Sequence, residues 1–94
     1  MKSPSRFRVP DEVVRLLRGL HPELKQKVRL AFDRLGTDPY AGKALQGELD
    51  GMRSLRVGRW RVVYRVRARN FIHIVALGPR ERIYEETLRL VSKG

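Results

Sequence analysis

Arginine dominates the stretch of chain from Arg53 to Arg69, which contains seven arginines and no acidic residue. A guanidinium group is a planar fork of N–H donors that can hold two phosphate oxygens at once. Arginines gathered on one surface therefore favour a ligand that carries phosphate. An ordinary solvated surface would mix Glu and Thr with its Lys and Arg, so the single sign of charge supports a binding role.

These arginines alternate with apolar residues at the spacing of a β-strand. One face of the strand would carry Arg61, Val63, Arg65 and Arg67, and the other, apolar face would carry Trp60, Val62, Tyr64 and Val66. In the preceding run Arg56 can lie beside Arg61, because Leu55 and Val57 would then share the apolar side. The pattern predicts a sheet with one face on a core and one open cationic face suited to a phosphate backbone.

A second group of polar residues follows the last apolar run, in the segment Gly78-Pro79-Arg80-Glu81-Arg82-Ile83-Tyr84. Gly78 and Pro79 predict a turn, and the chain after it could bring Arg80 and Tyr84 back over the edge of the cationic face. The alternative for Tyr84 is an apolar anchor that holds the C-terminal segment. Both interpretations remain open on the sequence.

The composition limits the kinds of chemistry that the chain can support. Cysteine is absent and there are only two histidines, His21 and His73, far apart in the sequence. We therefore expect no metal site, no cofactor and no thiolate chemistry, and a structural role for His73. The net charge of +11 comes from sixteen arginines and five lysines against ten acids, which favours nucleic acid as a partner. A genome that inflates arginine usage is the competing explanation.

The elements that must position these residues can be predicted from periodicity and turn formers. With 94 residues we expect one domain, 1–94, and the lack of a long apolar run or a signal peptide favours a cytoplasmic protein that does not associate with membranes. A brief strand at Phe7 and Val9 precedes two amphipathic helices, Asp11 to Gly19 and Pro22 to Gly36. After an irregular stretch, 37–51, three strands are predicted at Met52 to Val57, Trp60 to Arg67 and Phe71 to Leu77.

The last element, from Ile83 to Val91, is predicted as a short C-terminal helix or a tail. The order β-α-α-β-β-β predicts an α+β fold in which a helical hairpin packs on one face of a small twisted antiparallel sheet.

Two runs of residues resemble a known family. The second run is residues 78–84, and the first is residues 51–66, Gly51-Met52-Arg53-Ser54-Leu55-Arg56-Val57-Gly58-Arg59-Trp60-Arg61-Val62-Val63-Tyr64-Arg65-Val66. Together they look like the RelE/ParE superfamily of toxins from type II toxin-antitoxin systems. Lys43-Ala44-Leu45-Gln46-Gly47 is similar to the family's loop that ends in Leu-x-Gly. The resemblance spans about residues 5 to 92, agrees with the predicted order of elements, and is closer to the RelE branch, the mRNA interferases.

The resemblance implies a toxin that cleaves mRNA, in association with the ribosome, and is held by a cognate antitoxin. It implies catalytic roles for Arg61, Arg80 and Tyr84, and RNA contacts for Arg53, Ser54, Arg56, Arg65 and Arg82. The reaction would be attack of a ribose 2′-hydroxyl on the adjacent phosphate, giving a 2′,3′-cyclic phosphate and a 5′-hydroxyl without a metal. Where RelE-like toxins often have strand lysines this chain has Ser54 and Arg56, so the general base stays unassigned.

Two other classes of function compete with that of a nuclease: a toxin without catalysis and a basic protein that is not a toxin. A ParE-type toxin would inhibit DNA gyrase without catalysis, and a degenerate toxin would only bind an antitoxin. A basic ribosomal or DNA-binding domain with no toxin role is the third possibility. Arg61, Arg80 and Tyr84 together favour the nuclease, whereas the missing strand lysines favour the non-catalytic alternatives.

Overall fold

The protein is a five-stranded sheet with helices on both faces. The computed structural model describes residues 7–93, and of Lys93 the backbone alone; the basic lead at residues 1–6 lies outside the described residues. The helices are α1 (Asp11–Arg18), α2 (Pro22–Thr37) and α3 (Ile83–Lys93). The strands are β1 (Phe7–Arg8), β2 (Lys43–Ala44), β3 (Arg53–Val57), β4 (Trp60–Val66) and β5 (Ile72–Pro79), arranged in the order β1-β5-β4-β3-β2.

The helical hairpin forms where the sequence predicts it. Helix α1 ends at Gly19, whose N–H bonds to the carbonyl of Leu16 at 3.1 Å. Helix α2 begins with Pro22, and the side chain of His21 caps it by accepting from the N–H of Glu23 at 3.2 Å. The buried residues of α2 are Val28, Ala31 and Leu35, spaced as one helical face. The predicted α+β fold is confirmed.

The sheet differs from the expected antiparallel one at both edges. Strand β1 pairs with β5 in parallel, with Phe7 opposite Ile72 and Arg8 opposite His73. At the other edge the stretch predicted as irregular contributes β2, in which Lys43 pairs with Ser54. Both edge strands have only two residues, too few for an alternating pattern to reveal them in the sequence.

Strand β5 also runs past the predicted break and includes Gly78 and Pro79. The N–H of Arg80 donates to the carbonyl of Arg59 at 2.9 Å, so the ring nitrogen of Pro79 points to the other side of the strand. That side carries no partner here, because β1 pairs only with Ile72 and His73. A proline without a donor is therefore tolerated at this position.

Both faces of the sheet are covered. The expectation of an open cationic face is therefore wrong for the centre of the sheet. On the hairpin face, which α1 and α2 cover, lies a core that includes Leu35, Leu55, Val62 and Tyr64. On the α3 face lies a second core of Leu49, Met52, Val63, Ala76 and Ile83. The sequence did not predict this core, because Val63 is a single apolar residue between arginines and the C-terminal segment had no assigned packing.

A β-bulge in β5 determines which of its residues face each side. Val63 of β4 pairs with Ala76, but the next residue, Tyr64, pairs with Ile74, so Val75 is the extra residue. Val75 and Ala76 consequently both contact the second core, and the alternation is reversed in the half of β5 that precedes them.

One buried hydroxyl ties the loop before β2 to the sheet. Tyr64 is fully buried, and its hydroxyl donates to the carbonyl of Pro39 at 2.8 Å and accepts from the N–H of Gly42 at 2.9 Å. A Cβ atom at residue 42 would stand 2.6 Å from that oxygen, so only glycine fits there. Burial is the main cause of the raised pKa of Tyr64, which keeps the hydroxyl protonated as a donor.

We predict that Tyr64→Phe lowers the free energy of unfolding by about 1 to 3 kcal/mol, because the Gly42 N–H and the Pro39 carbonyl lose their partner away from water. Tyr40→Phe is the matched control, since Tyr40 is 57% exposed; we expect it to change stability by less than about 0.5 kcal/mol. Urea denaturation of the three proteins measures both effects. Equal losses in the two variants would contradict the role given to the Tyr64 hydroxyl.

Candidate functional site

Three of the residues singled out in the sequence meet on the α3 face. An Nη atom of Arg61 donates to the Ser54 hydroxyl oxygen at 3.2 Å, and the Tyr84 hydroxyl donates to the same oxygen, also at 3.2 Å. Ser54 is 1% exposed, whereas Arg61 and Tyr84 are half-buried. The buried serine thus orients two donors that are themselves only half-buried.

Three different elements bring this cluster together. Ser54 lies in β3, Arg61 near the start of β4, and Tyr84 in the first turn of α3. Register decides the facing: Ser54 pairs with Val63 of the second core, so its hydroxyl points to the α3 side. The packing of Ile83 in that core holds the first turn of α3 against the sheet, next to Ser54.

Like charges face each other beside the cluster. Arg56 is directly opposite Arg61 in the β3–β4 pair, and both lie on the α3 face. Arg56 is exposed, with its Nε donating to the carbonyl of Gly58 at 3.3 Å. Like charges directly opposite one another destabilise a sheet. Two positive charges side by side on one surface can, however, bind one anion together.

Lys43 belongs to the same surface, although the sequence analysis did not single it out as a site residue. It pairs with Ser54 across β2 and β3, and residues that pair across neighbouring strands point to the same face. A groove of about 480 Å³ adjoins it, lined by Lys43, Ala44, Leu45, Gln46, Leu49 and Tyr84. No pattern in the sequence indicates this placement, because it depends on a two-residue strand.

A carboxylate lies over Gly78 of β5. Gly78 of β5 is the partner of Arg61 in the β4–β5 pair. The nearest atoms to a Cβ built on Gly78 are Oε1 of Glu86 and Cδ1 of Ile83, each at 3.2 Å. The missing side chain of Gly78 thus leaves room for the Glu86 carboxylate above the sheet. Glu86 also lines the groove between α1 and α3 with Val13, Val75 and Leu90, and sequence reasoning did not single it out.

Arg53 does not belong to this surface. It pairs with Tyr64, on the hairpin face. Its Nε donates to the carbonyl of Gly42 at 3.1 Å and an Nη to the carbonyl of Tyr40 at 3.2 Å, and its guanidinium lies 5.2 Å from the centre of the Tyr40 ring. These contacts hold the loop before β2. Strand parity therefore turns Arg53 away from Ser54, and its expected contact with RNA stays a prediction.

The remaining predicted residues lie around the cluster at different distances. Arg80 and Arg82 are exposed in the turn between β5 and α3, Arg80 being two residues beyond Gly78. Arg65 lies on the α3 face at the far end of β4, where it pairs with His73. The structure therefore gathers Ser54, Arg61 and Tyr84 by direct hydrogen bonds and leaves Arg65 separate from them.

Comparison with known proteins shows the family of the chain. A family model described as "ParE toxin of type II toxin-antitoxin system, parDE" matches residues 7–84. The chain belongs to the RelE/ParE superfamily of type II toxins. A chain of the RelBE2 toxin-antitoxin complex from Mycobacterium tuberculosis is 31% identical to this toxin, with a TM-score of 0.67, over 79% of this chain and 95% of that one. A search of curated proteins gave no match.

The matched region of the toxin ends at Tyr84, so it contains Ser54, Arg61 and Arg80 but not Glu86. Over residues 7–93 the toxin has no cluster of three or more His, Asp or Glu side chains that could hold a metal ion. Nor does any helix in that range have the length and apolar character needed to cross a membrane. The polar groups around the site are guanidinium, hydroxyl and ammonium donors, with the Glu86 carboxylate as an acceptor.

We predict that Arg56→Gln stabilises the toxin by on the order of 0.5 kcal/mol at low ionic strength, because it removes the charge opposite Arg61. The gain should shrink as salt is raised towards about 1 M, where the screening length falls to about 3 Å. Arg59→Gln, a change of the same type in the adjacent exposed turn, is the control. Urea unfolding of both variants at two salt concentrations measures the effect. A gain in stability that does not change with salt, or that is equal in the two variants, would contradict the prediction.

Proposed function

We propose that this toxin is an endoribonuclease that cleaves mRNA in association with the ribosome, in the cytoplasm, and thereby inhibits translation. The observation that carries the proposal is the convergence of Arg61 and Tyr84 on the buried Ser54 hydroxyl. A guanidinium and a phenol held together at a cationic rim can serve one phosphate group, the first by binding its oxygens and the second by moving a proton.

The reaction follows from those two donors. The ribose 2′-oxygen forms a bond to the adjacent phosphorus while the bond from phosphorus to the 5′-oxygen breaks. The products are a 2′,3′-cyclic phosphate and a 5′-hydroxyl, with one proton lost by the 2′-hydroxyl and one gained by the 5′-oxygen. Arg61 donates to a non-bridging oxygen, where charge accumulates, and Arg80 can approach from the exposed turn. No metal or cofactor is part of this scheme.

Ser54 acts as a positioning residue in this scheme. Its oxygen accepts from both Arg61 and Tyr84, and these two bonds fix the directions of the side chains that would meet the phosphate. Donors that are already oriented need little reorganisation during the reaction, and this is the main source of electrostatic stabilisation of a transition state. Tyr84 then gives its proton to the leaving 5′-oxygen.

The proton of the 2′-hydroxyl needs an acceptor, and a guanidinium cannot provide one. Glu86, whose carboxylate lies over Gly78, the strand partner of Arg61, is the acceptor that we propose. Lys43 lies beside Ser54 on the opposite flank. Its ammonium group suits a contact with a phosphate oxygen and is not suited to accept a proton. We therefore assign the base to Glu86 and a phosphate contact to Lys43, with further RNA contacts from Arg56 and Arg82.

The partner expected for this toxin is a small acidic antitoxin. The solved structure that it resembles is a toxin-antitoxin complex. A chain with a net charge of +11 also attracts an acidic polypeptide strongly through its long-range field. The antitoxin would neutralise the toxin until it is released.

Inhibition of DNA gyrase is the second candidate function. The family model that matches is named for ParE, and the chain has Ser54 at a strand position where RelE-like toxins often have lysine. In that case Arg61 and Tyr84 would serve binding alone. A gyrase supercoiling assay run beside an mRNA cleavage assay separates the two functions with the same preparation of toxin.

We predict that Arg61→Ala lowers the rate of mRNA cleavage by about 10² to 10³, the loss typical of removing one donor to the developing charge. Primer extension on a translated message, with and without ribosomes, measures this. Arg34→Ala, an exposed arginine of α2, is the matched control and should cleave like the wild type. Wild-type toxin that leaves mRNA intact under both conditions but inhibits gyrase would overturn the proposal.

A change at Tyr84 distinguishes proton transfer from packing. Tyr84→Phe keeps the ring against the second core and loses one hydrogen bond to Ser54, so we expect a nearly unchanged melting temperature. Cleavage should fall by about 10-fold or more, since general acid catalysis is worth roughly 10² to 10⁴ in rate. Tyr84→Ala should also lower the melting temperature. Full cleavage by the Phe variant would assign Tyr84 to packing or base stacking instead.

A further inference from the structure

A second row of cationic residues crosses the α3 face at the far end of β4. Arg8 of β1 pairs with His73 of β5, and His73 pairs in turn with Arg65 of β4. Their neighbours Phe7 and Ile72 contact the core of the hairpin face, so Arg8 and His73 must point to the opposite side. The three strands thus place one guanidinium group on each side of the imidazole.

The charges around His73 are all of one sign. Those that act on it come from Arg8 of β1 and from Arg67 and Arg65 at the end of β4. Burial first, and then these three cations, lower the pKa of His73, so the imidazole is neutral around pH 7. His73 and Arg65 are half-buried, while Arg8 and Arg67 are exposed. An anion placed over the row would meet three permanent charges and one group able to gain a fourth.

This row is separate from the cluster at Ser54. Arg61 and Arg65 lie four residues apart in β4, which corresponds to about 13 Å along a strand. Val63 lies between them and is fully buried in the core beneath α3. A ligand group at His73 therefore cannot be the one that Arg61 and Tyr84 hold.

We propose that Arg8, Arg65, Arg67 and His73 form a second phosphate site, which binds a phosphodiester of a nucleic-acid strand and takes up one proton on His73 as it binds. Guanidinium forks match the paired oxygens of a phosphodiester. A protonated imidazole adds a further donor to the same anion. Binding at this site does not require cleavage. The proposal can therefore be tested independently of the nuclease function.

Linkage gives the sign of the pH dependence. In the free toxin burial and then the three cations oppose protonation of His73, whereas a bound phosphate would favour protonation and raise the pKa. Between those two pKa values a fall in pH strengthens binding, by at most about tenfold per pH unit for one proton. Above the higher value no proton is taken up, and the remaining affinity comes from the arginines.

The test uses a fluorescent 2′-O-methyl RNA oligonucleotide, which lacks the 2′-hydroxyl and cannot be cleaved. We predict that wild-type toxin binds it about three- to tenfold more tightly near pH 6 than near pH 8. His73→Gln should abolish this pH dependence. His21→Asn, which changes the other histidine and keeps a capping side chain on α2, should preserve it. Unchanged pH dependence in His73→Gln would overturn the proposal.

The arginines are tested by salt dependence in the same assay. Arg65→Gln and Arg8→Gln should each weaken binding and reduce the slope of log K against log salt by about 0.7, the value for one lost contact to a single strand. Arg34→Gln on α2 is the control. Arg8 is exposed on an edge strand, so its variant keeps the test valid if Arg65→Gln is unstable. If these two variants gave the same slope as the control, the assignment of Arg8 and Arg65 to a phosphate site would be wrong.

NMR titration of the His73 ring identifies the ligand. The oligonucleotide should raise the pKa of His73, and inorganic phosphate at the same concentration of phosphate groups should raise it much less. An equal effect of inorganic phosphate would indicate a small-anion site and overturn the assignment to nucleic acid.

Discussion

Burial of β4 on both faces is the constraint on which the rest of the structure depends. Val62 and Tyr64 are fully buried under the hairpin, and Val63 between them is fully buried under α3. A strand covered on both sides must be apolar in its middle whatever function the protein has. Charged residues on the α3 side are thereby confined to the ends of the strand, where Arg61 and Arg65 lie. The two cationic regions of this toxin are separate because one core divides them.

The electrostatic arrangement at the first of these regions favours binding over stability. Arg56 and Arg61 repel each other across the β3–β4 pair, and Ser54 orients Arg61 without neutralising it. A carboxylate at the position of Ser54 would satisfy the same donor more strongly, but it would also occupy the positive charge that a phosphate needs. A buried neutral hydroxyl meets both requirements, because it fixes direction and leaves the charge available.

Much of the fold was predictable because it depends on patterns that a sequence displays. The hairpin, β3 and β4 follow from apolar spacing and from the glycines that end them, and the facing of Arg61 against Val62 follows from alternation. The placement of Lys43 and Glu86 does not, since one depends on a two-residue edge strand and the other on the space above Gly78. Arg53 shows why composition alone does not give the facing of a residue. It belongs to the arginine-rich run by composition, yet strand parity points it to the loop carbonyls of Tyr40 and Gly42.

The extra residue in β5 decides the chemical character of half of a sheet face. In a regular strand the residues two and four positions before Ala76, which are Ile74 and Ile72, would share its side, and His73 would point into the hairpin core. Because Val75 is taken up as a bulge, the isoleucines fill that core and the imidazole emerges between Arg8 and Arg65. Deletion of Val75 would remove the bulge and leave this facing unchanged, whereas regular pairing that kept Val75 in the ladder would expose two isoleucines and bury a histidine. The bulge thus absorbs one extra residue without inverting the apolar and charged faces of the rest of the strand.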